Sequence, residues 1–361
     1  VANDMTISNS ASFLTSTNTI DVSGTTTVGA TLEIDNALYN SRGGFSATGN
    51  INFSHGGGKL RFYTVSPTSL GTLDNTLGTI VYMSGATDVL PVDYYTLTID
   101  DGGTAKTLQG NANIAGNLNI KSGNELNLGS NTMTITGTSD VDGTVNIGTG
   151  TYDANGTFDA TGGSVTFTDA GRLELAGTVT SFGTFTPSTG KVIYNGGAQN
   201  VLVENYSNLT IRGSGVKTAS GNINVSNELV IRNGSTFDIA ATTTTVTGTT
   251  YVNSSGTLSI STGTFDANGT FNANGTPVGD VTFTGAGSLE LGSTVTSLGN
   301  YTGSNSTILF NGSSAQTINA GSGFTVDNLT VNNASGVTLN TDVTVNSALT
   351  LTSGDITSTS T

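Results

Sequence analysis

The residues that could carry chemistry are few and scattered. His55, in FSHGGGK, is the only histidine, and the chain has no cysteine. A His/Cys metal centre or a Ser-His-Asp triad would therefore rest on a single residue. The positions aligned with it in the later repeats hold Asp169 and Gly285, so His55 reads as a surface-loop residue. Gly56–Lys59 spells GGGK, but Leu60 stands where a phosphate-binding loop needs a hydroxyl residue and a helix after it. Ser214 and Lys217 match S-x-x-K, a pairing that needs a helix to bring hydroxyl and amine together. Here it falls in the glycine-rich turn GSGVKTASG.

Carboxylates are the remaining candidates, since polysaccharide-cleaving enzymes work with acidic pairs. Glu174 in RLEL and Glu290 in SLEL recur, and Arg61 holds the matching place in the first copy. An enzyme places a catalytic pair once, whereas an acid that recurs in the repeats suits the outward position of an alternating strand. No catalytic residue and no enzyme activity is expected. Acidic turns are weak calcium candidates: Asp100 and Asp101 in DDGG, Asp140 and Asp142 in DVDG, and Asp153 and Asp266 in two copies of DANGT. None runs on into a calcium loop with its distal glutamate, and Asn-Gly is first of all a tight-turn signal. The expectation is plain turns and no cofactor, with structural calcium as the alternative. Asn-x-Ser/Thr sequons, among them Asn52, Asn205, Asn208, Asn224, Asn253, Asn300 and Asn328, are acceptors if the source glycosylates its surface proteins.

Composition narrows the class. The 361 residues include 50 Gly, 4 Pro and no Trp, with 25 acidic against 10 basic side chains and a net charge of −15. Such a balance excludes a nucleic-acid partner, which needs basic patches. The shortage of Glu, Lys and Arg argues against surface helices. No apolar run approaches the roughly 20 residues of a membrane span, so no membrane span is expected. The abundance of Thr, Ser, Asn and Gly without cysteine points to an extracellular or cell-surface location.

Positioning elements emerge from an internal repeat. TLEI at Thr31–Ile34 returns as TVNI at Thr144–Ile147 and TLSI at Thr257–Ile260, two steps of 113 residues. Four further triplets follow in the same order: Phe45, Phe158 and Phe271; Phe53, Phe167 and Phe283; Tyr82, Tyr194 and Phe310; Leu97, Leu209 and Leu329. The chain reads as repeat 1 over 1–113, repeat 2 over 114–224 and repeat 3 over 225–344, with 345–361 in the phase of a fourth. VANDMTIS at Val1 aligns with IAGNLNIK at Ile114, VSNELVIR at Val225 and VNSALTLT at Val345. The sequence starts at Val1 and carries no capping sequence at its far end. The expectation is a piece of a longer array or an end covered by another copy.

Short runs such as KVIY, NLTI, SVTF and RLEL alternate apolar and polar residues, separated every 8–12 residues by Gly, Asn, Ser or Asp. The expected class is all-β, as one continuous right-handed parallel β-solenoid with coils of about 20 residues. At ~4.8 Å per coil its body would be about 85 Å long. The alternative is a string of tandem Ig-like β-sandwiches.

The phrases VIYNGGAQNV, YSNLTI, NINVSNELVI and GVTLNTDVTVNSALTLTSG resemble extracellular β-solenoid surface proteins: autotransporter passengers and filamentous adhesins. The resemblance covers essentially the whole chain. It implies a right-handed parallel β-helix and a surface role, and it brings no catalytic motif. The function expected is a structural subunit of an extracellular filament or surface array, joined head to tail to copies of itself by strand stacking or exchange. The self-assembly candidates are Val1, Met5, Ile7, Phe13, Leu349, Leu351 and Ile356. The alternative is a stalk or passenger segment of a large adhesin that binds glycans or neighbouring cells. DVLPVDYY (Asp88–Tyr95) departs from its counterparts and suggests either local packing of Tyr94 and Tyr95 or a lateral contact.

Overall fold

A computed structural model describes residues 3–54, 56–319 and 323–359. All regular structure among them is β-strand, and the strands pair in parallel. Among the described residues the antiparallel contacts are two single bridges, Ser164 with Gly183 and Asn253 with Val278. Parallel pairing decides between the two expected architectures, because an Ig-like sandwich is built from antiparallel strands. The chain falls into two compact units, Val1–Gly190 and Lys191–Thr361, each a parallel β-solenoid, with about 18 turns between them.

In the first unit a coil carries three short strands on three faces. Thr96–Ile99, Lys106–Leu108 and Ala112–Ile114 make one, and Leu118–Ile120, Glu125–Asn127 and Thr132–Ile135 make the next. Leu97 lies opposite Leu118, Lys106 opposite Leu126 and Ile114 opposite Ile135. Alternation does the rest: in Thr144–Ile147 and Ser164–Phe167 every second side chain is buried. Inward residues stack into mostly apolar ladders such as Leu97, Leu118, Ser139, Phe158 and Val179. Rings nest along them, with Phe45 and Phe62 centroids 5.1 Å apart and Phe62 and Tyr82 5.5 Å apart. Each buried aliphatic or aromatic side chain stabilises the unit by about 1.5–3 kcal/mol.

The second unit uses the same coil with longer strands. Asn205–Ile211, Ile223–Ile231, Phe324–Asn332 and Val343–Ser353 each run through what are two short strands in the first unit. A companion face stacks Gln199–Val201, Val216–Ala219, Thr236–Asp238, Thr257–Ile260, Asp280–Phe283 and Asn300–Thr302. Outward asparagines form amide ladders from coil to coil: Asn146 donates to Asn127 at 2.8 Å, Asn224 to Asn205 at 2.9 Å and Asn227 to Asn208 at 2.7 Å. At one corner a glycine column lets successive coils approach. A Cβ on Gly156 would collide with the carbonyl of Gly137, and one on Gly269 with that of Gly248.

The sequence triplets take matching places. Phe45, Phe158 and Phe271 each open a strand and are buried, and Leu97, Leu209 and Leu329 each face inward from one.

Candidate functional site

Three features stand out from the uniform coil: a bare strand edge, two sealed tyrosine–lysine corners, and stacked acids on the outer faces.

The bare edge belongs to Val343–Ser353. Its residues pair with Phe324–Asn332, Leu349 opposite Leu329 and Leu351 opposite Val331. Leu349 is 54% and Leu351 53% exposed, whereas Leu118, Ile120, Leu229 and Ile231, in the same repeat phase, are fully buried. Ile356, half-buried, lies in Ile356–Ser358 and pairs with Val337. Among the other self-assembly candidates, Met5 and Ile7 share Met5–Ile7, which pairs with Thr26–Val28. Phe13 lies in Ser12–Thr15, opposite Leu32. Ile7 is buried, Met5 and Phe13 are half-buried, and the neighbouring Leu14 is 66% exposed. Val1 and His55 lie outside the described residues.

The sealed corners were not singled out from sequence. In the first unit the hydroxyls of Tyr82 and Tyr94 meet at 3.1 Å. The Leu90 N–H donates to Tyr82 (3.1 Å) and Tyr94 donates to the Leu90 carbonyl (2.7 Å). The second unit repeats the set: Tyr194 and Tyr206 at 3.2 Å, the Leu202 N–H on Tyr194 at 3.1 Å, Tyr206 on the Leu202 carbonyl at 2.9 Å. A fully buried lysine completes each corner. Lys106 Nζ donates to the Thr104 carbonyl at 2.9 Å, and Lys217 Nζ to the carbonyls of Gly196 (2.8 Å) and Ser214 (2.6 Å). Burial pushes Tyr82 and Tyr194 up to about 12, and Tyr94 and Tyr206 well above the ordinary phenol value. Burial pushes both lysines below the usual ammonium value. Closed to solvent, these groups brace the loop at Leu90 and Leu202. Ser214 and Lys217 thus do meet, through the serine's carbonyl oxygen. The available signal was the Tyr…Tyr…Lys recurrence at Tyr82, Tyr94 and Lys106 and again at Tyr194, Tyr206 and Lys217. The unusual DVLPVDYY stretch divides accordingly: Tyr94 is packed inside and Tyr95 is 37% exposed.

On the outer faces, strand register stacks the recurring acids. Asp153 lies opposite Glu174, and Asp266 opposite Glu290, where the first copy has Asn40 opposite Arg61. Burial, reinforced by the charge of Asp266, holds Glu290 above the usual carboxylate value. Asn268 donates to Asp266 at 3.0 Å and Asn311 to Glu290 at 3.2 Å. Lys121 joins Asp140 (3.1 Å) and Asp142 (3.4 Å). Asp100 accepts the N–H of Asp101 at 2.7 Å. Among the described residues no three Asp, Glu or His side chains gather at one point as metal ligands. A polar trough of about 300 Å³ crosses successive coils beside Lys121, lined by Ser122, Asn124, Glu125, Asp142, Thr144 and Ser164.

No family model matches the chain, and neither does any curated protein or solved structure. Its β-solenoid architecture is compatible with surface-repeat proteins. No helix among the described residues is long and apolar enough to cross a membrane.

Proposed function

We propose that the chain is a structural subunit of an extracellular filament or cell-surface array, built by joining β-solenoids end to end. The observation that carries this is the in-register pairing of strands from coil to coil, in which each coil is the template for the next, as where Leu229 and Ile231 lie opposite Thr250 and Val252. A row of unpaired backbone donors and acceptors flanked by apolar side chains is a template for another strand. The resemblance of the VIYNGGAQNV and NINVSNELVI phrases to extracellular surface-repeat proteins supports the location. Sedimentation velocity over a concentration series tests the proposal. The unaltered chain should grow into large species as concentration rises, and Leu349→Glu/Leu351→Glu should remain monomeric. A chain that stays monomeric at its highest soluble concentration would overturn it.

A second reading, a stalk or passenger segment of a larger adhesin that binds glycans or neighbouring cells, draws on the trough at Ser122–Glu125. Its hydroxyl, amide and carboxylate lining suits the hydroxyls of a saccharide. In that reading more of the same polypeptide covers the bare edge.

A further inference from the structure

We propose that the polar trough of the first unit binds a linear, uncharged glycan laid across successive coils, with one sugar residue to each coil. This rests on the adhesin reading above and names the class and direction of its ligand. The trough lies over the turns that follow Leu118–Ile120, Ser139–Val141 and Phe158–Asp159, and it reaches Gly103 one coil earlier. Three steps of ~4.8 Å make it about 14 Å long. Its floor is bare backbone. Gly123 and Gly162 turn at φ of 77° and 83°, and a Cβ on either would meet no described atom within 4 Å, so the absence of side chains there leaves the space open. One wall is a ladder: Glu125 lies opposite Thr144, and Thr144 opposite Ser164, each outward and half-buried. That sets one carboxylate or hydroxyl on each coil. A pyranose in an extended β-1,4-linked chain advances by close to the same distance. Asn124 lines the trough beside them and is 4% exposed. Its Nδ2 donates to the carbonyls of Lys121 (2.9 Å) and Ser122 (3.2 Å), and its Oδ1 has no partner among the described residues. A buried acceptor without a donor is costly, and a sugar hydroxyl supplies the donor.

Charge and topology set other ligands aside. Among the described residues the lining holds the carboxylates of Glu125 and Asp142 and no basic side chain, which repels acidic sugars and phosphates. A divalent cation would have to displace Lys121 from Asp142 (3.4 Å) and Asn146 from Glu125 (2.6 Å). A peptide strand needs an open edge to pair with. Here the ladder runs on unbroken beneath the trough, through Leu126, Val145 and Val165. The same chemistry returns further along this line of turns. Lys59–Phe62 and Thr79–Tyr82 belong to the sheet of Leu118–Ile120. The turns after them frame a hollow of about 590 Å³, lined by the hydroxyls of Ser66 and Thr87, by Asp88 and by the exposed Val65. Gln109 donates to Asp88 at 2.7 Å, and among the described residues no basic side chain lines this hollow either. It lengthens the track for a chain of sugars and adds an apolar contact for a ring face.

Isothermal titration of the full chain tests this, with β-1,4-linked hexasaccharides of glucose, N-acetylglucosamine, xylose and mannose as probes and hexagalacturonate as the acidic control. At least one neutral hexasaccharide should bind, and hexagalacturonate should not. Thr144→Trp and Ser164→Trp each fill the trough from its wall and should weaken that binding by about tenfold or more. Thr134→Trp, outward on another face, should leave it unchanged, with all three variants folded by circular dichroism. Binding that survives in both trough variants overturns the site and leaves the adhesin reading standing. Hexagalacturonate binding as strongly as the neutral probes overturns the ligand class. No binding of any neutral hexasaccharide overturns the proposal, and an array of branched and acidic glycans then separates the two failures. Capture of the chain by the array leaves the adhesin reading standing, and no capture removes its glycan-binding role as well.

Discussion

In the corner that runs from Tyr194 to Lys217, two phenols close on a main-chain amide and carbonyl, and a buried ammonium is held by the carbonyls of Gly196 and Ser214. In the corner from Phe310 to Val337 of the same unit, the equivalent side chains are Phe310, Val326 and Val337, all buried and apolar. There the polar work passes to amides. Buried Asn333 donates to the Ser314 carbonyl at 2.7 Å and to Gln316 Oε1 at 2.9 Å, while Gln316 Nε2 donates to the carbonyls of Leu291 (2.7 Å) and Ser293 (2.9 Å). The two tyrosines and the lysine are replaced together. Half of such a network leaves buried groups unsatisfied, which costs more than having none. The backbone ladder therefore defines the coil, and each corner adopts one complete polar solution or another.

The largest effect expected from this contrast is alkaline unfolding. Tyr39, Tyr82, Tyr194 and Tyr301 are pushed up to about 12 by burial, against about 10 when unfolded. Their neutral forms stabilise the fold fully below pH ~10, and that contribution is lost as pH rises towards 12. Each fully buried tyrosine is worth on the order of 2–3 kcal/mol across that window. Lys106 and Lys217, held below the usual value, act in the opposite sense: stability gains slightly as pH rises through the range just below ~10. Thermal melts from pH 8 to 12, followed with phenolate absorbance, should show unfolding and ionisation together. Phenolate formation by all ten tyrosines at about pH 10 in a chain that stays folded would break the account of the corners.

Next in size is the reciprocal lysine exchange. Val337→Lys buries an ammonium where the amide corner already uses its carbonyls, and should cost about 3–5 kcal/mol. Lys217→Val leaves the Gly196 and Ser214 carbonyls without their donor and should cost about 1–3 kcal/mol. Equal losses in urea melts would erase the distinction between the corners. Tyr194→Phe, which strips the Leu202 N–H of its acceptor, should cost about 1–3 kcal/mol. The combined Tyr194→Phe/Tyr206→Val/Lys217→Val variant should lose less than the three single changes added together. The smallest effect is Lys121→Ala, below about 1 kcal/mol in the same melts, because its pairs with Asp140 and Asp142 are about two-fifths exposed.

Much of this architecture was legible in the residues. Period-2 runs such as RLEL and SVTF became strands with alternate burial, and the 113-residue steps relating Phe45, Phe158 and Phe271 gave matching buried strand starts. Stacking of Asp153 with Glu174 was hidden because coil length varies, from 19 residues between Ile135 and Ala154 to 21 between Ala154 and Leu175. Register is a property of the ladder and of no single segment. The lysine corners escaped for a chemical reason. A lysine in a glycine-rich turn reads as a solvated charge, and only the folded corner shows carbonyls gathered around Lys217. The bare edge was legible as repeat phase alone; the exposure of Leu349 and Leu351 appears only once the coil is built.

Electron microscopy of the purified full chain across a concentration series, with and without calcium, tests end-to-end assembly most directly. The account predicts ordered filaments that lengthen with concentration and whose axial repeat corresponds to one chain. Isolated single particles under every condition would contradict it.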